Sequence, residues 1–166
     1  RNLCFDNKKR FVHYELGWNY RLTNLQAALG LAQLEKLGDS LIKKRYIGKQ
    51  YLNYLSPFLP VSFQPDSLDY ADNLYWVFAI LLHDTCSFDS FSVREALGKA
   101  NIGSRPFFFP IHKQPVFLQQ GLFANDHHPV SENLYKLGFY VPSGLSISLD
   151  QIKYVSEMLN SILSIA

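Results

Sequence analysis

With 166 residues, 48% of them hydrophobic and 18% charged, the chain can bury one core and falls in the globular class. A formal net charge of +2 gives no electrostatic case for nucleic acid, and the short basic runs Lys8-Lys9-Arg10 and Lys43-Lys44-Arg45 read as solvated surface. The two cysteines, Cys4 and Cys86, form no CxxC pair, which speaks against a disulfide framework or zinc site and suits a reducing cytoplasm.

The chain begins at Arg1 rather than methionine, and residues 1–10 form no clear element. A piece of a longer protein is therefore expected. The first long element is a helix predicted over 23–56, started by Thr23 or Asn24 and ended by Pro57 and Pro60. From Leu25 to Leu34 almost every residue is apolar or small, the pattern of a helix covered on several sides. Beyond it, Leu34, Leu37, Leu41, Leu52 and Leu55 form one stripe, and Gly38 and Gly48 mark candidate bends.

The apolar run 75–82 reads as a strand covered on both faces, and it is far shorter than the roughly 20 residues of a membrane span. No secretory signal is seen before it. Asp89 or Ser90 caps a helix carrying Val93, Ala96, Leu97 and Ala100. Residues 105–109 form a second aromatic strand candidate, closed by Pro110. Pro129 suits the first turn of a short helix and Gly138 its end, before a short extended piece at 139–141. Ser148 with Gln151 matches a capping box for the last helix, whose Leu149, Ile152, Val155, Leu159 and Ile162 repeat at helical spacing. A long helix followed by mixed strands and shorter helices gives an α+β domain.

Several groups could carry chemistry. Asn19, Tyr20 and Arg21 precede a helix start, where backbone amides are positive. Their donors make a candidate anion site, phosphate included. The same turn also reads as a structural joint. His112 sits between Pro110 and Pro115 on what reads as a fixed, partly exposed loop; an ordinary surface histidine is the competing reading. Asp126-His127-His128 lacks a third metal ligand at convincing spacing and reads as a solvated loop. No serine has a visible His/Asp partner, and no phosphate loop or dinucleotide fingerprint is present.

With these pieces placed, the chain resembles the C-terminal part of the DegT/DnrJ/EryC1/StrS family of pyridoxal-phosphate-dependent sugar aminotransferases. Gly17-Trp18-Asn19-Tyr20-Arg21-Leu22 is similar to the family's Gly-x-Asn-Tyr-Arg-Met, and Gln26-Ala27-Ala28-Leu29-Gly30-Leu31-Ala32-Gln33-Leu34 to its Gln-Ala-Ala-x-Gly-x-x-Gln-Leu helix. Tyr75-Trp76-Val77-Phe78, Ile102-Gly103-Ser104-Arg105 with Pro110-Ile111-His112, Pro129-Val130-Ser131-Glu132 and Val141-Pro142-Ser143-Gly144 follow in the family's order.

The resemblance implies the small C-terminal domain of a fold-type I enzyme with a long interdomain helix. Residues 1–22 would be left from the preceding large domain, and 23–166 would form the small domain. It implies a homodimer partner, a nucleotide-linked keto-sugar substrate and an amino donor, glutamate. Asn19, with Arg21 beside it, would reach the phosphate of the pyridoxal 5'-phosphate held by the other subunit. His112, Arg105 and Tyr20 would lie on the substrate side. The Schiff-base lysine belongs to the missing large domain, so no catalytic residue is assigned here, and Lys113 is rejected for that role. A sugar dehydratase of the same family is the alternative, as is a stand-alone, catalytically inactive interaction module.

Overall fold

A computed structural model describes residues 18 and 20–164. The chain divides into two units, Arg1–Asp39 and Ser40–Ala166. In the first, α1 (Asn24–Glu35) starts at Thr23, whose hydroxyl accepts from Gln26 N at 3.2 Å while Gln26 Oε1 accepts from Thr23 N at 2.9 Å. This closes a capping box. No residue of α1 is buried.

The single helix expected over 23–56 is two. Lys36 separates α1 from α2 (Leu37–Tyr54), and its N–H donates to Gln33 O at 3.2 Å, tightening the last turn of α1. The buried face of α2 also differs from the expected leucine stripe. Ile47, Gly48 and Tyr51 are buried, as is Leu55 just beyond, whereas Leu34 and Leu37 are exposed. Gly48 is not a bend. A Cβ there would lie 2.3 Å from Cγ of Tyr75, so glycine is what lets that ring seat against the helix.

In the second unit a short hairpin, β2 (Ser67–Leu68) with β3 (Ala71–Asp72), follows β1 (Val61–Phe63). Next come β4 (Phe78–Leu82), α3 (Ser90–Lys99) capped by Asp89, and β5 (Arg105–Pro106). A 3₁₀ turn (Ile111–Lys113) and α4 (Pro115–Leu118) precede α5 (Pro129–Leu137), β6 (Gly138–Val141) and α6 (Leu149–Leu163). The main sheet has the antiparallel order β1-β4-β6-β5, with Ile80 opposite both Phe63 and Phe139. Antiparallel sheet with helices makes the domain α+β, as the sequence implies.

One core joins α2, the sheet, α3 and α6: Tyr51, Phe78, Ile80, Val93, Leu97, Phe139, Ile152 and Leu159 are all fully enclosed. The rings of Tyr51 and Phe78 stack at 4.6 Å. The strand expected over 75–82 starts three residues late because Tyr75 has φ of +50°, a left-handed backbone that a strand cannot use. Its amide donates to Asn73 Oδ1 at 2.7 Å and its hydroxyl to Asp66 Oδ1 at 3.0 Å, which hold that conformation. Burial, with Asp66 alongside, pushes the Tyr75 phenol up to about 12.

The strand expected over 105–109 shrinks to Arg105–Pro106. Only one more bond, Phe107 N to Gly138 O at 3.1 Å, continues the ladder, because β6 begins at Gly138. Gly138 does end α5, for a reason other than a left-handed turn. Its φ is −94°, and an added Cβ would fall 2.3 Å from Phe107 and 2.4 Å from the Leu134 carbonyl.

The run Lys43-Lys44-Arg45 is not all solvated surface. Lys44 Nζ donates to Trp76 O at 2.7 Å and to Ser143 O at 2.6 Å. Burial lowers the pKa of this ammonium. One side of α2 therefore fastens the chain just before β4 to the chain just after β6, and Tyr51 Oη adds a bond to Pro142 O at 2.6 Å.

Candidate functional site

Prolines open both segments that build the site. Pro110 leads into the 3₁₀ turn carrying His112 and Lys113, and Pro129 occupies the first turn of α5, where its missing N–H costs nothing. Between α5 and residues 107–112 lies an open cleft of about 740 Å³. Phe107, Phe108, Phe123 and Leu134 give it apolar walls, and His112, Asp126 and His128 give it polar ones.

Glu132, in the first turn of α5, is the hub of this region. Its Oε1 lies 2.9 Å from His112 Nε2 and 3.1 Å from His127 Nδ1, and accepts from His128 N at 3.3 Å. Its Oε2 accepts from Lys113 Nζ at 2.5 Å. The ammonium of Lys113, then the imidazole of His112, hold this carboxyl down at about 2, so it is ionised at any ordinary pH. The backbone bond to His128 also serves α5, which has no side-chain cap of its own.

His112 is thus not the partly exposed loop residue expected. It retains 7% exposure, because its ring lies under the α5 start with the His128 ring edge-on at 4.7 Å. The Asp126-His127-His128 loop is likewise more than solvated chain. His127 is 74% exposed yet binds Glu132 through Nδ1. Among the described residues no group of His, Cys, Asp or Glu forms a metal cluster.

Tyr20 and Arg21 are exposed members of the first unit, and the Tyr20 ring lies 6.4 Å from that of Trp18. Arg105 is exposed on the edge strand β5 and does not line the cleft. Asn19 lies outside the described residues, as do Gly17, Cys4 and the run Lys8-Lys9-Arg10. Among the described residues no helix is long and apolar enough to cross a membrane.

Sequence reasoning assigned no role to Glu132, or to Lys44. The available signal was an acid three residues after a helix-starting proline, with histidines on the segment before it.

Comparison with known proteins gives a consistent result. Residues 1–160 match the profile of the DegT/DnrJ/EryC1/StrS aminotransferase family. GDP-perosamine synthase of Escherichia coli O157:H7 is 32% identical over 156 residues, covering 94% of this chain and 40% of the synthase. In fold, the chain is similar to Helicobacter pylori PseC, an aminotransferase involved in the biosynthesis of pseudoaminic acid. The TM-score is 0.79 at 21% identity, over 95% of this chain and 42% of that one. It is also similar to E. coli GDP-4-keto-6-deoxy-D-mannose-3-dehydratase with bound hydrated PLP, with a TM-score of 0.73 at 20% identity, over 90% of this chain and 38% of that one. The chain spans about 40% of the length of the curated relatives it matches.

Proposed function

This chain belongs to the DegT/DnrJ/EryC1/StrS aminotransferase family, and from that premise we propose that it is the C-terminal part of a pyridoxal-phosphate-dependent sugar aminotransferase. The observation that carries the reading is the family match over residues 1–160. The whole enzyme moves an amino group from glutamate to a keto sugar carried on a nucleotide. GDP-perosamine synthase at 32% identity favours transfer over dehydration, since the dehydratase likeness rests on fold alone.

Residues 1–22 are assigned to the end of the large domain and 23–166 to the small domain. That large domain and a second subunit cover the apolar surface of α1, making the assembly a cytoplasmic homodimer. Asn19 and Arg21 serve the cofactor phosphate. His112 serves the nucleotide sugar from the cleft wall, with Arg105 and Tyr20 as further substrate contacts.

The ammonium of Lys44 is bound to Trp76 O and Ser143 O, and that of Lys113 to Glu132. The aldehyde-binding lysine is assigned to the large domain, where the family resemblance puts it. When bound there, pyridoxal phosphate supplies the amino-group relay between donor and sugar. The contribution of this chain is to hold the phosphate edge and to orient the sugar.

The test is to give the complete enzyme a nucleotide-linked keto sugar and ¹⁵N-labelled glutamate. Label in the sugar product supports amino transfer. A product that has lost a hydroxyl without gaining nitrogen supports the dehydratase.

A further inference from the structure

We infer that Glu132 is a positioning residue that dictates which nitrogen of His112 carries hydrogen, so that His112 meets the cleft through Nδ1. An ionised carboxylate only accepts hydrogen bonds. With Oε1 2.9 Å from Nε2, that nitrogen must donate whether the ring is neutral or charged. Nδ1 is then the nitrogen without hydrogen in the neutral ring.

The rest of the geometry agrees. Nε2 makes the ring's one side-chain hydrogen bond among the described residues, and Nδ1 makes none. Yet every fully enclosed side-chain nitrogen or oxygen of the described residues has a partner. Nδ1 is therefore not fully enclosed, and His112 lines the cleft.

Glu132 is well held for the task. Lys113, His127 and the His128 amide fix its two oxygens, and the His128 ring packs edge-on against His112. The charged and titratable groups facing His112 are thus Glu132 from α5, Lys113 from its own turn, and His127 and His128 from the preceding loop. Asp126 stands behind His128 at 3.9 Å.

The ligand class follows from what Nδ1 and its surroundings can recognise. Neutral Nδ1 accepts from a hydroxyl, and Phe107, Phe108 and Phe123 offer apolar faces to a sugar ring. The identity of that ligand rests on the nucleotide-sugar reading. The hydrogen position on His112 does not.

The experiment separates the two. Long-range ¹H–¹⁵N spectra of the ¹⁵N-histidine-labelled chain, with His112 assigned by its loss in His112→Asn, report which ring nitrogen bears hydrogen. Hydrogen on Nε2 is expected. In Glu132→Gln the amide keeps the shape of the side chain but can donate as well as accept, so the ring should become a mixture of tautomers. Hydrogen held on Nδ1 in the unaltered chain overturns the inference. So does an unchanged Nε2 preference in both Glu132→Gln and Glu132→Ala.

In the complete enzyme, Glu132→Gln and His112→Asn should raise KM for the nucleotide sugar on the order of tenfold, with kcat little changed. An unchanged KM in His112→Asn, alongside the expected tautomer, removes the nucleotide-sugar role of the cleft and leaves the positioning by Glu132 standing.

Discussion

Helix α1 and helix α6 open on the same device: Thr23 with Gln26 in one, Ser148 with Gln151 in the other, at matching distances of 3.2 and 2.9 Å. Their fates differ. α6 buries Ile152, Val155, Leu159 and Leu163 in the core, whereas α1 buries nothing and leaves Leu25, Leu29, Leu31 and Leu34 exposed. The local start signal is therefore independent of what stabilises the helix afterwards. α6 is one-sided and matches a core that this chain supplies. α1 is apolar almost all round, a composition that fits cover on several sides. In our reading that cover comes from the large domain and the second subunit.

The sharpest way to break this comparison is to truncate one leucine in each helix. Leu159 has 0% exposure, so Leu159→Ala should cost about 2–5 kcal/mol of unfolding free energy in urea titrations. Leu29 is 64% exposed, so Leu29→Ala should stay within about 0.5 kcal/mol. Equal losses would mean that α1 is packed within this chain after all.

The caps offer a smaller contrast. Ser148→Ala should lower global stability by about 1 kcal/mol. Thr23→Ala should leave the unfolding midpoint alone and reduce only far-ultraviolet helicity, because a 12-residue helix without packing is marginal in water. A shared drop in midpoint would show that both helices unfold as one unit.

Acid titration adds a still smaller effect, confined to the second unit. Folding depresses the Glu132 carboxyl to about 2, below an unfolded value of roughly 4.3. Its contribution is fully present above that unfolded value and is lost as pH falls toward 2. The stability gap between the unaltered chain and Glu132→Gln should therefore close over that interval. A gap that stays constant would contradict the ion-pair origin of the shift.

What could be read in the sequence was whatever neighbouring residues decide among themselves. The Ser148–Gln151 box, the Asp89 cap, the Pro129 start and the doubly covered β4 each depend on a few adjacent side chains. What could not be read depends on groups that meet only after folding. Lys44 bonds to carbonyls 32 and 99 positions away, so it looked like part of a surface run. Glu132 collects His112 from 20 positions upstream, so its segment supported the family resemblance without suggesting a role. Tyr51 was passed over for leucines because its value lies in a ring stack and a hydroxyl bond, neither of which a hydrophobic stripe encodes. The position of the break at Lys36 was missed for a related reason. The apolar pattern runs on through it, and only the turn geometry divides the helix.

In the function we propose, Asn19 and Arg21 of this chain serve a cofactor phosphate in a shared active site. The most direct measurement is the affinity of the complete enzyme for pyridoxal phosphate in Asn19→Ala beside the unaltered protein. Loss of a hydrogen bond to a charged group predicts weakening by about 1.5–3 kcal/mol, on the order of ten- to a hundredfold. Unchanged affinity in a correctly folded variant would contradict the claim.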